Sequence, residues 1–282
     1  MLIVDQDNPG APLAPEDLMR AMSNDELVVL YRPTVECGSQ RVVGAEALVR
    51  WQHPHRGLIA PGCFIRLAEE QGLIHRLGRW MLNRACIQLR EWQEAGNADW
   101  TVSVNISPTQ LRRRDFCAQV REVLHRNGIA AEKLTLQIAE SCLMQQIEDC
   151  RETLADLSAE GVQIALDAFG VGFTSLAQIK HLPVNEVKID PVFIAEVDRN
   201  PVDSNIVSTI VTLGAILGLR VVADGVERQE QRRAVELLGC DHSRGLLHAA
   251  PVSGSLFGRR FGMQVDALLE GPRPTVTEVA FG

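Results

Sequence analysis

Short runs of aliphatic and β-branched residues alternate along the chain with longer stretches whose apolar positions recur every three or four residues. The runs predict strands over Leu27–Tyr31, Val42–Val49, Val102–Ile106, Leu134–Ile138, Gln163–Leu166, Glu186–Ile189 and Leu219–Ala223, with an eighth near Asp241–Leu246. Between them the spacing predicts helices over Pro61–Gln71, Arg76–Ala95, Asp115–Asn127, Ile147–Glu160, Ser175–His181, Asp203–Leu217 and Gln229–Leu238. The first two strands are joined by Cys37-Gly38-Ser39-Gln40, a hairpin turn. Every later strand is reached through a helix, which implies parallel pairing. Repetition of the unit seven or eight times suggests closure into an α/β barrel of the (β/α)8 type. Asn8-Pro9-Gly10-Ala11-Pro12 and Pro15 read as a linker over residues 1–14, leaving a barrel over 15–265 and a tail over 266–282.

Composition narrows the function. With 46% apolar and 23% charged residues, the chain can form a packed globular domain. The seven cysteines are scattered without a C-x-x-C pair, which speaks against a disulfide framework and a zinc site. A net charge of -8 disfavours nucleic-acid binding. The run Arg112-Arg113-Arg114 reads as solvated surface. No apolar window is long enough to span a membrane, since Ile206–Ala223 is broken by polar residues, glycines and Arg220. Met1–Gly10 lacks the basic-then-apolar run of a secretory signal, so a cytoplasmic location is expected.

In a βα barrel, chemistry gathers where the strands end. Asn105, Gln137, Asp167, Lys188, Asp224 and Glu227 follow successive apolar runs, Arg244 sits on the eighth strand, and Glu46 and Arg50 lie within the second. One polar residue at a strand end usually starts a loop. Amides, carboxylates and an amine ending so many strands together suggest a shared mouth. Carboxylates with an amide suit a hard divalent cation, and a lysine among them moves protons or holds phosphate.

These residues stand in recognisable motifs. Glu46-Ala47-Leu48-Val49-Arg50, Pro61-Gly62-Cys63-Phe64-Ile65, Asn105-Ile106-Ser107, Asp167-Ala168-Phe169-Gly170, Lys188-Ile189-Asp190 and Gly225-Val226-Glu227 follow in order. Over about Leu18 to Pro251 the chain resembles the EAL-domain family of cyclic di-GMP phosphodiesterases. The resemblance implies a TIM-like barrel whose first barrel strand runs antiparallel. It also implies Mg²⁺- or Mn²⁺-dependent opening of cyclic di-GMP to the linear dinucleotide pGpG. Glu46, Asn105, position 137 and Asp167 would hold one metal, and Asp167, position 168 and position 224 the other. Lys188, with Glu46 and Glu227, would carry the residual catalytic chemistry. Arg32, Glu46, Leu48, Arg50, Asp190, Glu227 and Arg244 are candidate nucleotide contacts. A homodimer is expected, with Thr174-Ser175 governing contact with the second subunit.

The departures point away from hydrolysis. Gln137 stands where a ligating glutamate is expected, Ala168 replaces the second aspartate of the pair, Asp224 replaces a longer glutamate, and Arg244 replaces a glutamine. Arg32 replaces a glutamine that faces a guanine in the family. Four of the six expected carboxylates remain, Glu46, Asp167, Asp224 and Glu227, with an added cation among them. A metal pair is not expected to fill, and a weak single site at Glu46, Asn105, Gln137 and Asp167 is the most that survives. Arg244, with Lys188 and Arg50, would either hold ligand phosphates or pair with Asp224 or Glu227. The expectation is a cyclic di-GMP receptor or protein-interaction module. The alternatives are a working phosphodiesterase, or a barrel that only dimerises beside another functional domain. His53, His55 and the tryptophans at 51, 80, 92 and 100 read as packing residues.

Overall fold

The computed structural model describes residues 3–4, 13–172 and 176–262. In chain order the elements are β1 (Ile3–Val4), α1 (Pro15–Ser23), β2 (Leu27–Glu36), β3 (Val42–His53), β4 (Gly57–Ile59), α2 (Ile65–Glu70), α3 (Ile74–Glu94), β5 (Thr101–Asn105), α4 (Pro108–Leu111), α5 (Phe116–Asn127), β6 (Leu134–Ala139), α6 (Glu140–Met144), α7 (Ile147–Ala159) and β7 (Gln163–Phe169). They continue with α8 (Leu176–Ile179), β8 (Glu186–Ile189), α9 (Pro191–Ile194), α10 (Pro201–Leu217), β9 (Arg220–Asp224), α11 (Gln229–Leu237), β10 (His242–Arg244), β11 (Val252–Ser253) and α12 (Gly254–Phe261).

Eight strands close the barrel in the order β3-β5-β6-β7-β8-β9-β10-β2, with β2 returning to β3. β2 is antiparallel to both neighbours, β3 and β10, and the remaining pairings around the ring are parallel. The predicted barrel with its antiparallel first strand is therefore present. The hairpin pairs Leu48 with Leu30, Arg50 with Val28 and Glu46 with Arg32. β2 and β3 each extend several residues beyond their predicted ends, because antiparallel partners hold them together far past the apolar run.

Helix positions follow the predicted periodicity, with differences at the ends. The expected Pro61–Gln71 helix is a 3₁₀ turn at Pro61–Cys63 followed by α2. Periodicity does not predict α1, α4, α6, α9 and α12: most are about one turn long, too short for a repeat to show. Ile3 and Val4, in the expected linker, pair with Leu58 and Ile59. The other residues before 13, the tail after Gly262, and Thr174 and Ser175 lie outside the described residues. Cys37, Cys63, Cys86, Cys117, Cys150 and Cys240 are free thiols. Among the described residues no helix is long and apolar enough to cross a membrane.

The apolar core fills the layer between the sheet and the surrounding helices. One aromatic group, Tyr31, Trp92, Trp100 and Phe257, packs through edge-on contacts and one tilted pair, Trp92–Phe257, where α3 and α12 cover β2. Its indoles also find backbone acceptors: Trp92 donates to Gly254 O at 3.0 Å and Trp100 to Val42 O at 3.0 Å. Trp51 and His53 are likewise buried packing residues.

Gly245 locks the end of β10 against the loop after β9. Val226 N donates to Arg244 O at 2.9 Å and Leu247 N to Val226 O at 3.1 Å. A Cβ on Gly245 would meet the backbone N and O of Val226, and its φ of +156° leaves no relaxed alternative. Backbone cannot step aside as a side-chain tip can. Gly245→Ala is therefore expected to cost about 3 kcal/mol, read as a shift in the denaturant midpoint.

Candidate functional site: a cation-filled barrel mouth

Alternation along the strands puts polar residues at two depths of the barrel interior. β8 carries Glu186 low and Lys188 high, and β9 carries Arg220 low and Asp224 high. β3 contributes Glu46, β2 contributes Arg32 and Thr34, and β10 contributes Arg244.

Glu46 is the hub. It is almost fully buried, and three cations reach it: Arg32 Nη2 at 2.6 Å, Lys188 Nζ at 3.2 Å and Arg244 Nη1 at 3.6 Å. Lys188 also binds Asp167 at 2.9 Å and Asp224 at 3.2 Å. Arg32 also forks onto Asp224, with Nη1–Oδ1 at 2.9 Å and Nη2 donating to Oδ2 at 3.0 Å. Each high carboxylate of the ring is thus already held by at least one protein cation.

The protonation states follow. Burial pushes the Glu46 carboxyl up, but Lys188, Arg244 and Arg32 together outweigh it and hold it far below the usual carboxylate range. Burial likewise raises Asp224, and Lys188 with Arg32 bring it below its ordinary value. Burial lowers Lys188, while Glu46, Asp224 and Asp167 more than restore it and keep the ammonium charged. Glu46, Asp224 and Lys188 are therefore all ionised at neutral pH.

Several expectations are corrected here. Arg244 is not a mouth residue. It is 3% exposed and runs inside the barrel, where Nε donates to Thr34 Oγ1 at 2.9 Å and Nη2 lies 4.0 Å from Glu186. Its carboxylate partners are Glu46 and Glu186 rather than Asp224 or Glu227, and it has no free path to ligand phosphates. The physical reason is charge: the mouth already holds Arg32 and Lys188, whereas Glu186 below offers a buried anion. Gln137 is not placed as a metal ligand. Its amide is satisfied when the nitrogen donates to Glu46 Oε1 at 2.9 Å and the oxygen accepts from Ser103 Oγ at 3.3 Å and Arg244 Nη1 at 2.5 Å. The one acceptor it could offer a metal is thereby taken by Arg244.

The other candidates are spread around the rim. Asn105 is exposed at the end of β5, opposite Gln137 in the register. Glu227 is exposed and joins none of the site's ion pairs among the described residues. The Asp190 carboxylate caps α9 by accepting from Val192 N at 2.9 Å. Arg50 is half-buried and donates to Val49 O at 2.8 Å. Leu48 lines a largely apolar cavity of 280 Å³ beside the mouth, with Pro61, Ile65, Met81, Asn105 and Asp167.

Ala168 keeps the shape of its position without the function. Its φ of +54° lies in the left-handed region that an aspartate tolerates better than an alanine. Its amide donates to Asp167 Oδ1 at 2.7 Å, so that oxygen is also engaged. Glu140 is a site residue that the sequence pattern does not single out. Its Oε2 accepts from Gly170 N at 3.0 Å, and a Cβ on Gly172 would come within 2.7 Å of its carboxylate. The start of the loop after β7, at Gly170 and Gly172, is therefore moulded over a buried glutamate. A carboxylate closely following a strand's ligand position is the signal that could have found it.

This architecture decides kinship. A family model of the EAL domain matches residues 15–251. The chain belongs to the EAL domain family. It is 42% identical over 236 residues to the bifunctional diguanylate cyclase/cyclic di-GMP phosphodiesterase MucR of Pseudomonas aeruginosa, an alignment covering 84% of this chain and 34% of that protein. The EAL chain thus spans about a third of the length of that relative. The solved PaMucR phosphodiesterase in complex with c-di-GMP superposes with a TM-score of 0.82 at 40% identity, covering 86% of this chain and 98% of that one. The EAL domain of Mycobacterium smegmatis DcpA superposes at 0.72 with 33% identity, covering 83% and 97%.

EAL phosphodiesterases use divalent metals, and the donors here do not fit a metal pair. Ala168 offers no lone pair, the Gln137 oxygen faces Arg244, and Glu46 and Asp224 are bound by Arg32 and Lys188. Among the described residues no group of three or more His, Cys, Asp or Glu side chains is arranged to hold a metal ion. A divalent ion in this seat would lie against two fixed cations, each repelling one unit of its charge by about 4 kcal/mol at 4 Å under intermediate screening.

The ion network should also set the pH range of stability. Glu46 and Asp224 have folded pKa values below their ordinary 4.5 and 3.8. Their stabilisation is complete above those values and drains away as pH falls below them. Lys188 lies above its ordinary 10.5, so its share persists at all lower pH and is lost only as pH climbs past that value. Lys188→Met is expected to cost about 3 kcal/mol at neutral pH and to make the acid limb shallower, as measured by chemical denaturation across pH.

Proposed function

We propose that this EAL domain binds cyclic di-GMP at the barrel mouth without a metal and without hydrolysing it, serving as a receptor whose occupancy is passed to a partner protein. The observation that carries the reading is the seating of Arg32 and Lys188 among Glu46, Asp167 and Asp224. Hydrolysis requires an activated water, and the seats that would supply it are filled by side-chain cations. The same cations favour a ligand carrying two phosphates. Arg50 and Leu48 stand at the rim beside the 280 Å³ cavity, whose apolar lining suits a flat base. The name of the PaMucR complex, which records c-di-GMP bound to the same fold, supports the choice of nucleotide. Homodimerisation, by the loop after β7, belongs to the same reading.

A second reading, an active phosphodiesterase, is supported by the retained Glu46, Asn105, Asp167, Lys188 and Glu227 and by the phosphodiesterase names of the relatives. It requires Arg32 to leave its carboxylates when a metal arrives.

Calorimetry with cyclic di-GMP in chelator and in Mg²⁺ separates the two, with chromatography to follow linear product. Equal affinity in both buffers and no pGpG with Mn²⁺ are expected. Metal-dependent binding, or turnover that disappears in Glu46→Ala, would establish the phosphodiesterase. Absence of nucleotide binding in every buffer would leave protein recognition alone.

A further inference from the structure

Arg32 is placed by the hairpin directly across from Glu46, and barrel closure through β10 brings Asp224 to its other side. Its Nε and Nη2 donate to Glu46 Oε2 at 3.0 and 2.6 Å, while Nη2 and Nη1 meet the two oxygens of Asp224 at 3.0 and 2.9 Å. A guanidinium has five N–H groups in one plane; this arrangement uses three in hydrogen bonds and sets Nη1 in ion-pair contact with Asp224. Such a fork between two carboxylates is the geometry arginine holds most rigidly. The side chain is 18% exposed, against 4% for Lys188, so Arg32 is the outer of the two mouth cations.

We propose that Arg32 is the resident cation of this site: it occupies the seat between Glu46 and Asp224, and this single residue closes the mouth to a divalent metal. Three features of the structure separate this role from that of an ordinary salt bridge. The two carboxylates are buried, so solvent does not supply them with a competing shell. The two carboxylates come from different strands and have no further acidic neighbour at 137 or 168 to share a metal with, since Gln137 and Ala168 contribute none. Lys188 already satisfies the inner oxygens, so removal of Arg32 frees only the outer face, which is the face a dissolved ion reaches first. Arg32→Gln should therefore open a weak cation site without dismantling the rest. Arg32→Lys should keep it closed, because one charge remains.

The exclusion of metal does not depend on the nucleotide. Mn²⁺ uptake by ligand-free protein, followed by loss of the free-ion EPR signal, tests it directly. Wild type and Arg32→Lys are expected to take up no Mn²⁺ at millimolar concentration. Arg32→Gln should bind at least about tenfold more tightly than either, and Glu46→Gln in that background should abolish the gain. Millimolar uptake by wild type, or equal behaviour of Arg32→Gln and Arg32→Lys, would overturn the assignment. Should Arg32→Gln fail to fold, the Arg32 Nε–H resonance of the wild type reads the same property: it is expected to be unmoved by Mg²⁺, and its loss or shift would refute the proposal. Failure of the receptor reading would look different, as absent nucleotide binding with Mn²⁺ still excluded.

Discussion

The arrangement depends on one buried carboxylate. Glu46 projects from β3 into the barrel interior, and three cations converge on it from β2, β8 and β10. Unpaired, it would carry a desolvation cost that the domain could not sustain. Paired threefold, it fixes the facing of Arg32, the height of Lys188 and the orientation of Gln137. The interior of a βα barrel is commonly filled with branched apolar side chains. Here a polar column runs from Glu186 through Arg244 to Glu46 and on to Lys188, Arg32, Asp167 and Asp224. Packing makes the wall, and charge balance fills the axis.

That balance has a functional consequence. A hydrolytic site needs surplus negative charge, because its metals offset the repulsion among carboxylates. This site has already offset it with side chains, which are covalently attached and cannot be depleted. In the proposed reading, fixed cations take the seats of mobile ones, and no metal remains to activate a water. Buried ion networks of this kind are poor sources of net stability, since desolvation cancels most of the attraction. What they supply is a defined arrangement, which the proposed receptor would keep whether or not the ligand is present.

Much of this is legible in the residues. The alternation of strand and helix predicts the barrel, and the hairpin turn near Gly38 predicts the antiparallel entry strand. The loss of a ligand's charge at 137 and of the ligand itself at 168 is visible in side-chain chemistry alone. The Arg32–Glu46 contact is not: counting outward from the turn, where Val35 pairs with Val42, would set Arg32 opposite Ala45. A bulge between Thr34 and Val35 shifts that register, however, and only the structure locates it. Arg244 is harder to place because strand alternation tells which side of the sheet a residue faces but not whether a long side chain then turns up or down the axis. That choice depends on Glu186 and Lys188, which lie far away in sequence. Glu140 is hidden for a related reason: its role is to support a loop that begins on the neighbouring strand.

The central claim is that side-chain cations, rather than metals, neutralise the mouth. Anomalous diffraction from crystals soaked in Mn²⁺ together with cyclic di-GMP measures this most directly. The account predicts intact nucleotide, Arg32 still forked between Glu46 and Asp224, and no anomalous peak beside them. Paired Mn²⁺ peaks about 4 Å apart, with Arg32 displaced from the carboxylates, would contradict it.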